Sequence, residues 1–289
     1  MATSPHPLAQ HPFLKMNGIG NEIIVVDLRH DGLHLLPDHA RAIARDPRLA
    51  YDQLMVLEPP RTEGTTAFMR IFNNDGTLSS ACGNGTRCVA WSLMHATSDE
   101  HLTLETEAGL LTCRRLDEWH YSVDMGMPRL AWNDIPLAHE IADTTHIYDA
   151  TWTELPPAVG VNMGNPHAVF FLDAAHIMPD LRQWGPRIEH DPLFPERVNV
   201  SFARVIDRAH IKLDVWERSA GLTRACGSAA CATLVAAVRR HLTDRRATLH
   251  LPGGDLIIEW RDDQHVIMSG AVELEFEDRF AADLFNTPA

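Results

Sequence analysis

Ala81-Cys82-Gly83-Asn84-Gly85-Thr86-Arg87-Cys88 and, nearly half of the 289-residue chain later, Ala225-Cys226-Gly227-Ser228-Ala229-Ala230-Cys231-Ala232 are near copies of one another. Each opens Ala-Cys-Gly, takes a small polar step, and reaches a second cysteine in front of a helix-like run. Repetition at half-chain spacing is what a duplicated pair of domains produces, each presenting one thiol. Two thiols facing each other across a cleft can move a proton through a carbon centre.

Cysteine before glycine at a helix start has a chemical meaning. A free thiol, with a pKa near ~8.5, is mostly protonated at neutral pH and is a base only as thiolate. A helix N-terminus favours negative charge through its unpaired N–H groups and macrodipole, and a drop of about 1.5 pKa units is worth roughly 2 kcal/mol. Gly83, Gly85 and Gly227 let the backbone approach a ligand closely, so the same N–H groups can cradle a carboxylate. Cys88 would stand ~9 Å beyond Cys82 along a continuous helix, too far for an unstrained bridge. Cys88, Cys231 and Cys113 are therefore read as packed cysteines.

The rest of the chain limits the alternatives. With 45% hydrophobic and 22% charged residues it is globular and able to bury a sizeable core. A formal charge of −14 without a basic stripe excludes nucleic acid and anionic membrane as partners. Neither a signal peptide nor a membrane-spanning run is visible, which points to the cytoplasm. Five cysteines make an odd set, read as free thiols in a reducing compartment.

Outward from the first Cys-Gly segment, the first half reads as mostly β with one central helix. Phe13–Met16 and Ile23–Val26 are strands around Asn17-Gly18-Ile19-Gly20-Asn21. Gln53–Glu58, Ala67–Phe72, Leu102–Thr106, Leu110–Arg114 and Tyr121–Met125 are further strands, and the helix runs from Gly83 to about Ala96. The pattern weakens at Met127-Pro128-Arg129, where the boundary is placed. The second half repeats the plan, with strands at Val161–Asn165, His167–Leu172, Val198–Ile206, Ile211–Trp216, Thr248–Leu251, Leu256–Trp260 and Val266–Met268. Its helices are expected over Ala174–Leu181 and from the second Cys-Gly to about His241.

At this point the chain resembles the diaminopimelate epimerases. The resemblance runs from about Phe13 to the end and rests on Lys15–Asn21, Asp52-Gln53-Leu54, Phe72–Gly76, Ala81–Cys88, Met163-Gly164-Asn165-Pro166-His167 and Trp216-Glu217-Arg218 through Cys231. It implies an α/β fold of two similar, pseudo-symmetric domains, each a curled sheet around a central helix. The C-terminus is then expected to return to the first domain through a strand at Ala271–Phe276. The expected domains are 13–128 with 271–289, carrying Cys82, and 129–270, carrying Cys226.

The activity implied is interconversion of LL- and meso-diaminopimelate, in lysine and cell-wall precursor synthesis, with no cofactor and no metal. Cys82 and Cys226 match the family's catalytic pair, one thiolate removing the α-proton while the opposite thiol protonates the other face. Asn84 and the backbone of Gly83, Gly227 and Ser228 match the cradle for the carboxylate at the reacting carbon. Asn21, Gln53, Asn73, Asn165 and Asn199 match pocket-lining positions. Glu217 and Arg218 match those gripping the far amino and carboxylate groups, a task suited to the planar, bidentate Arg fork. His167 and Glu217 match residues tuning thiol protonation. A homodimer is expected, with closure of the domains on substrate.

The chain departs from the usual pattern at Asn17 (commonly His), Glu22 (Asp), Ser219 (Gly), Leu222 (Glu) and Ala229 (Gly). None removes a reacting group. Ser219, next to Arg218, could alter the backbone at the far end of the pocket.

Two other readings use the same thiols. An amino-acid racemase of the proline racemase type tends to carry His after its first Cys-Gly, where this chain has Asn84, and has no need of a Glu-Arg pair for a second zwitterion. A redox switch would join Cys82 and Cys226 reversibly, but lacks Cys-X-X-Cys. Seventeen histidines provide no zinc motif, and Gly18-Ile19-Gly20 falls short of a nucleotide loop.

Overall fold

The computed structural model describes residues 6–79, 81–173 and 179–285. Two compact units divide the chain, one running up to Val123 and resuming at Gly270, the other spanning Asp124–Ser269.

The first unit contains β1 (Pro12–Asn17), β2 (Glu22–Asp27), β3 (Gln53–Glu58), β4 (Ala67–Asn73), the short β5 (Leu78–Ser79), β6 (His101–Thr106), β7 (Gly109–Arg115), β8 (His120–Asp124) and the last strand, β17 (Glu273–Arg279), with helices α1 (Pro37–Arg45) and α2 (Gly83–Met94). Pairing runs β17-β1-β2-β3-β4-β6-β7-β8, parallel between β2 and β3 and between β4 and β6, antiparallel elsewhere. The strand expected over 271–276 thus runs Glu273–Arg279 and seals β1.

β2 and β3 are apolar at almost every position because both faces are covered. Ile24, Val26, Leu54 and Val56 pack with Ala40 and Ile43 of α1. On the opposite face Met55 reaches Gly85 of α2, where a Cβ would meet its Cε at 1.7 Å. Every residue of α2 from Gly83 to Trp91 is buried, as befits a helix wrapped by a curled sheet. Each large side chain buried this way contributes roughly 1.5–3 kcal/mol.

α1 corrects the expectation of one helix in this half. Only Ala40 and Ile43 of its nine residues are buried, so its apolar stripe is too narrow to stand out. The cues it does carry are Pro37 in the first turn, Asp38 beside it and Arg45 in the last.

The second unit contains β9 (Ala158–Asn162), β10 (Pro166–Phe171), α3 (Leu181–Glu189), β11 (Asn199–Asp207), β12 (His210–Glu217), the short β13 (Gly221–Thr223), α4 (Gly227–Arg239), β14 (Arg246–Leu251), β15 (Gly254–Trp260) and β16 (Val266–Ala271). Its order β9-β10-β11-β12-β14-β15, parallel at β10–β11 and β12–β14, repeats that of β1 through β7. α4 occupies the place of α2, following a short strand and buried from Ala229 to Ala237. On the other face of the sheet, Leu181, Trp184 and Ile188 of α3 join Phe170, Phe202, Trp152 and the apolar side chains of 135–155 in one cluster.

Two expectations shift here. β9 ends at Asn162, three residues before the expected limit, because Gly164 takes φ +93° in the turn that follows. For the helix expected over 174–181, residues 174–178 lie outside the described residues. The helix of this region instead starts at Leu181 and extends to Glu189, capped by the Asp180 side chain, which accepts from Arg182 N–H. Among the described residues, no helix is long and apolar enough to cross a membrane.

Candidate active site

In each unit a cysteine is the N-cap of the central helix. Cys82 caps α2 with φ −151°, and its Sγ accepts from Gly85 N–H at 3.3 Å. The same sulfur gives its S–H to Gln53 Oε1 at 3.0 Å and lies 3.7 Å from Asn21 Oδ1. Asn21 is aimed by Asp52, whose Oδ2 accepts from Asn21 Nδ2 and from Glu22 N–H, both at 2.9 Å. Asp52 belongs to a block that carries the family resemblance, and its reach to Asn21 forms only once β2 and β3 pair.

Asn73 faces Gln53 in register across β3 and β4, its carboxamide donating to Thr77 Oγ1 at 3.0 Å. Asn84, 3% exposed in the first turn of α2, keeps Oδ1 buried without a hydrogen-bond partner. Gly18 lies against it, 3.1 Å from a would-be Cβ to the Asn84 carbonyl oxygen. Two departures from the family pattern touch one another, since Asn17 Nδ2 donates to Glu22 Oε1 at 3.1 Å. Glu22 also takes the ammonium of the buried Lys15.

In the second unit Cys226 caps α4 and is 5% exposed. Burial pushes its thiol well above the ordinary range, and the Glu217 carboxylate adds to the rise. The Ser228 hydroxyl, 3.5 Å from Sγ, and the Ala229 N–H pull the other way without prevailing. Gly227 and Ser228 form the first turn, whose N–H groups the helix itself does not use.

The remaining candidate residues of this unit form a chain of contacts. Asn165 Oδ1 is 2.7 Å from His167 Nε2, and His167 stands in register with Asn199 across parallel strands. Asn199 Nδ2 donates to the Pro166 carbonyl, while its Oδ1 accepts from Arg218 N–H at 2.9 Å. The Arg218 guanidinium donates to the Glu196 carbonyl at 3.0 Å. His167 is fully buried; burial and then the Arg218 charge hold its pKa down to about 3, so it is neutral. The turns carrying Asn21 and Asn165 are built alike: Gly20 and Gly164 take φ +87° and +93°, and each donates N–H to the Oδ1 of an Asn, Asn17 and Asn162, at 2.6 and 2.7 Å. That left-handed backbone is why glycine precedes each Asn.

Sequence reading passed over three neighbours of Glu217 and Arg218. Trp216 stands at the edge of a family block, Ser219 replaces the family's usual glycine, and Glu189 carries no signal in the sequence. Ser219 has φ +67°, so the conformation expected of glycine persists although the residue is serine.

Solved structures share this fold. A hydroxyproline epimerase from Agrobacterium vitis superposes with a TM-score of 0.65 at 15% identity, over 93% of this chain and 92% of that one. A phenazine biosynthesis protein of the PhzF family from Enterococcus faecalis gives 0.63 at 18%, over 92% and 97%. The architecture is thus the two-domain α/β class with a large curled sheet that these proteins share. The diaminopimelate epimerase family model matches residues 13–131 and 159–275. Proteins named diaminopimelate epimerase from Methylobacterium sp. (strain 4-46) and Methylocella silvestris are 55% and 54% identical, covering 96% and 98% of this chain and 98% and 99% of their own. The chain belongs to the diaminopimelate epimerase family and is an isomerase.

Proposed function

We propose that this enzyme interconverts LL- and meso-2,6-diaminopimelate by two-base proton exchange between Cys82 and Cys226. The observation that carries the reading is the paired but unequal setting of the two thiols. Each caps the central helix of its unit, but burial, aided by the Glu217 carboxylate, keeps Cys226 a protonated thiol, whereas Cys82 is half-buried among amide groups. A one-step exchange of configuration needs one sulfur as base and one as acid, on opposite faces of the same carbon.

The α-proton of an amino acid is very weakly acidic, so the developing enolate must be stabilised. The free N–H groups at the starts of α2 and α4 supply donors for it, each worth about 2.7–4 kcal/mol in a dry site. Asn84, in the first turn of α2, is matched to the same cradle through the N–H₂ of its carboxamide. Arg218 and Glu217 are matched to the distal carboxylate and ammonium, Asn21, Gln53, Asn73, Asn165 and Asn199 to the length of the substrate between, and neutral His167 to the tuning of the thiols. Both proton transfers belong to sulfur, so no cofactor is called for. The enzyme would serve lysine and cell-wall precursor synthesis as a cytoplasmic homodimer.

The test is to incubate freshly reduced protein with LL-diaminopimelate in D₂O and follow the α-proton signal, with L-proline and trans-4-hydroxy-L-proline in parallel. Exchange and meso product with diaminopimelate alone are expected. Exchange only with an imino acid would transfer the chain to the racemase reading and leave Glu217 and Arg218 without their assigned task.

A further inference from the structure

Glu217 ends β12 and Arg218 opens the turn to β13, and one buried side chain holds this pair from both sides. Glu189, the last residue of α3, is 3% exposed. Its Oε2 accepts from the Trp216 indole N–H at 2.7 Å, and its Oε1 from the Ser219 backbone N–H at 2.9 Å. Trp216 directly precedes Glu217 and Ser219 directly follows Arg218, so the two bonds bracket the pair. Arg197 Nη1, 3.8 Å from Oε1, supplies the opposite charge that a buried carboxylate requires.

Two further features depend on this clamp. Ser219 adopts φ +67°, a conformation that a non-glycine residue keeps only where its surroundings impose it, and its N–H is the one Glu189 holds. Trp216 lies so close to α3 that a Cβ on Gly185 would fall 2.4 Å from its Cγ. Ring packing and hydrogen bond together fix the indole to the helix. The effect of the clamp passes through the residues it brackets.

We propose that Glu189 is a positioning residue, whose carboxylate, by bonding Trp216 and Ser219 together, sets where the Glu217 and Arg218 side chains stand. The proposal rests on the reading above, in which Glu217 acts on Cys226 and Arg218 on the distal carboxylate of the substrate. A carboxylate can accept from both donors at once. Glu189→Gln leaves one acceptor and turns an NH₂ toward the other N–H, so the turn must release at one end. Trp216→Phe keeps the ring over Gly185 and deletes one donor only.

The groups that face the Cys226 thiol are the Glu217 carboxylate, the Ser228 hydroxyl and the Ala229 N–H, and of these Glu217 is the one adjoining the clamp. Two readouts follow. In Glu189→Gln, KM for LL-diaminopimelate rises tenfold or more through Arg218. In the same variant the pH titration of Cys226, followed by the ¹³Cβ shift in protein labelled at cysteine and assigned with Cys226→Ser, moves down as Glu217 withdraws. Trp216→Phe shows both changes in smaller measure. A folded Glu189→Gln with wild-type KM and an unmoved Cys226 titration would overturn the proposal. If that variant does not fold, Trp216→Phe decides by the same two readings. Should the wild-type protein fail to epimerise diaminopimelate, the functional reading falls, while the Cys226 titration still decides whether Glu189 sets the position of Glu217.

Discussion

Replacing Gly185 by alanine should damage activity far more than stability. The added methyl would sit 2.4 Å from Trp216 Cγ, 2.5 Å from Cδ2 and 2.8 Å from Cβ. Carbon atoms rest about 3.5–4.0 Å apart, so the indole or the helix must move by about 1 Å. Neither yields easily: Trp216 is rigid, bonded to Glu189 through its ring N–H and held in register with Val200 and Leu222 through its backbone. Overpacking of this kind costs about 1–3 kcal/mol. Alanine returns about 0.8–1 kcal/mol as the better helix former. The net loss is at most about 2 kcal/mol, or a fall in unfolding midpoint of up to about 8 °C. Activity has no such compensation, because Glu217 and Arg218 follow Trp216 directly and a displacement of about 1 Å can cost about 100-fold in rate. Calorimetry and kcat/KM for LL-diaminopimelate, measured on one preparation, separate the two effects. A raised midpoint with unchanged kcat/KM would refute the reasoning, because it would mean that α3 does not press on Trp216.

Other expected outcomes concern the titratable groups. His167 is held neutral, its pKa down at about 3 against an ordinary 6.5, so as pH falls the unfolded chain takes up that proton first. Its contribution is intact above pH 6.5 and drains between 6.5 and about 3, with about 2 kcal/mol gone at pH 5; His167→Gln should flatten that part of the stability profile, and an unchanged slope would contradict the assignment. Burial pushes the Cys88 and Cys113 thiols up to about 12, so iodoacetamide at pH 8 should label half-buried Cys82 before either, as read by peptide mass spectrometry. Prior labelling of Cys113 would show that this order is wrong. Cys82→Ser and Cys226→Ser should each lose about 10²–10⁴-fold in epimerisation while Cys113→Ser loses little, and near-normal turnover in either of the first two would show that the acid–base pair lies elsewhere.

Much of the architecture is legible in the sequence because local rules agree with the fold. Strands such as Gln53–Glu58 carry unbroken apolar runs suited to a sheet covered on both faces, and the Cys-Gly segments open helices rich in small and apolar residues, although α2 also buries Arg87. α1 is not legible because two buried residues make too faint a stripe, and β9 lies three residues earlier than the expected Val161–Asn165 because the sequence does not reveal that Gly164 turns the chain with a positive φ.

The sequence by itself determined the duplication, the two helix-capping thiols and the family, since each is written in contiguous residues whose chemistry is fixed by their neighbours. Only the tertiary structure decided what those residues experience. Cys82 and Cys226 head nearly identical segments, yet one lies among the amides of Asn21 and Gln53 and the other is buried beside Glu217. Asp52 reaches Asn21, and Glu189 reaches Trp216 and Ser219, across separations in the chain that no motif spans. Burial and hydrogen-bond partners are properties of what packs against a residue, and that is set by distant strands and helices meeting, not by the order of residues along the chain.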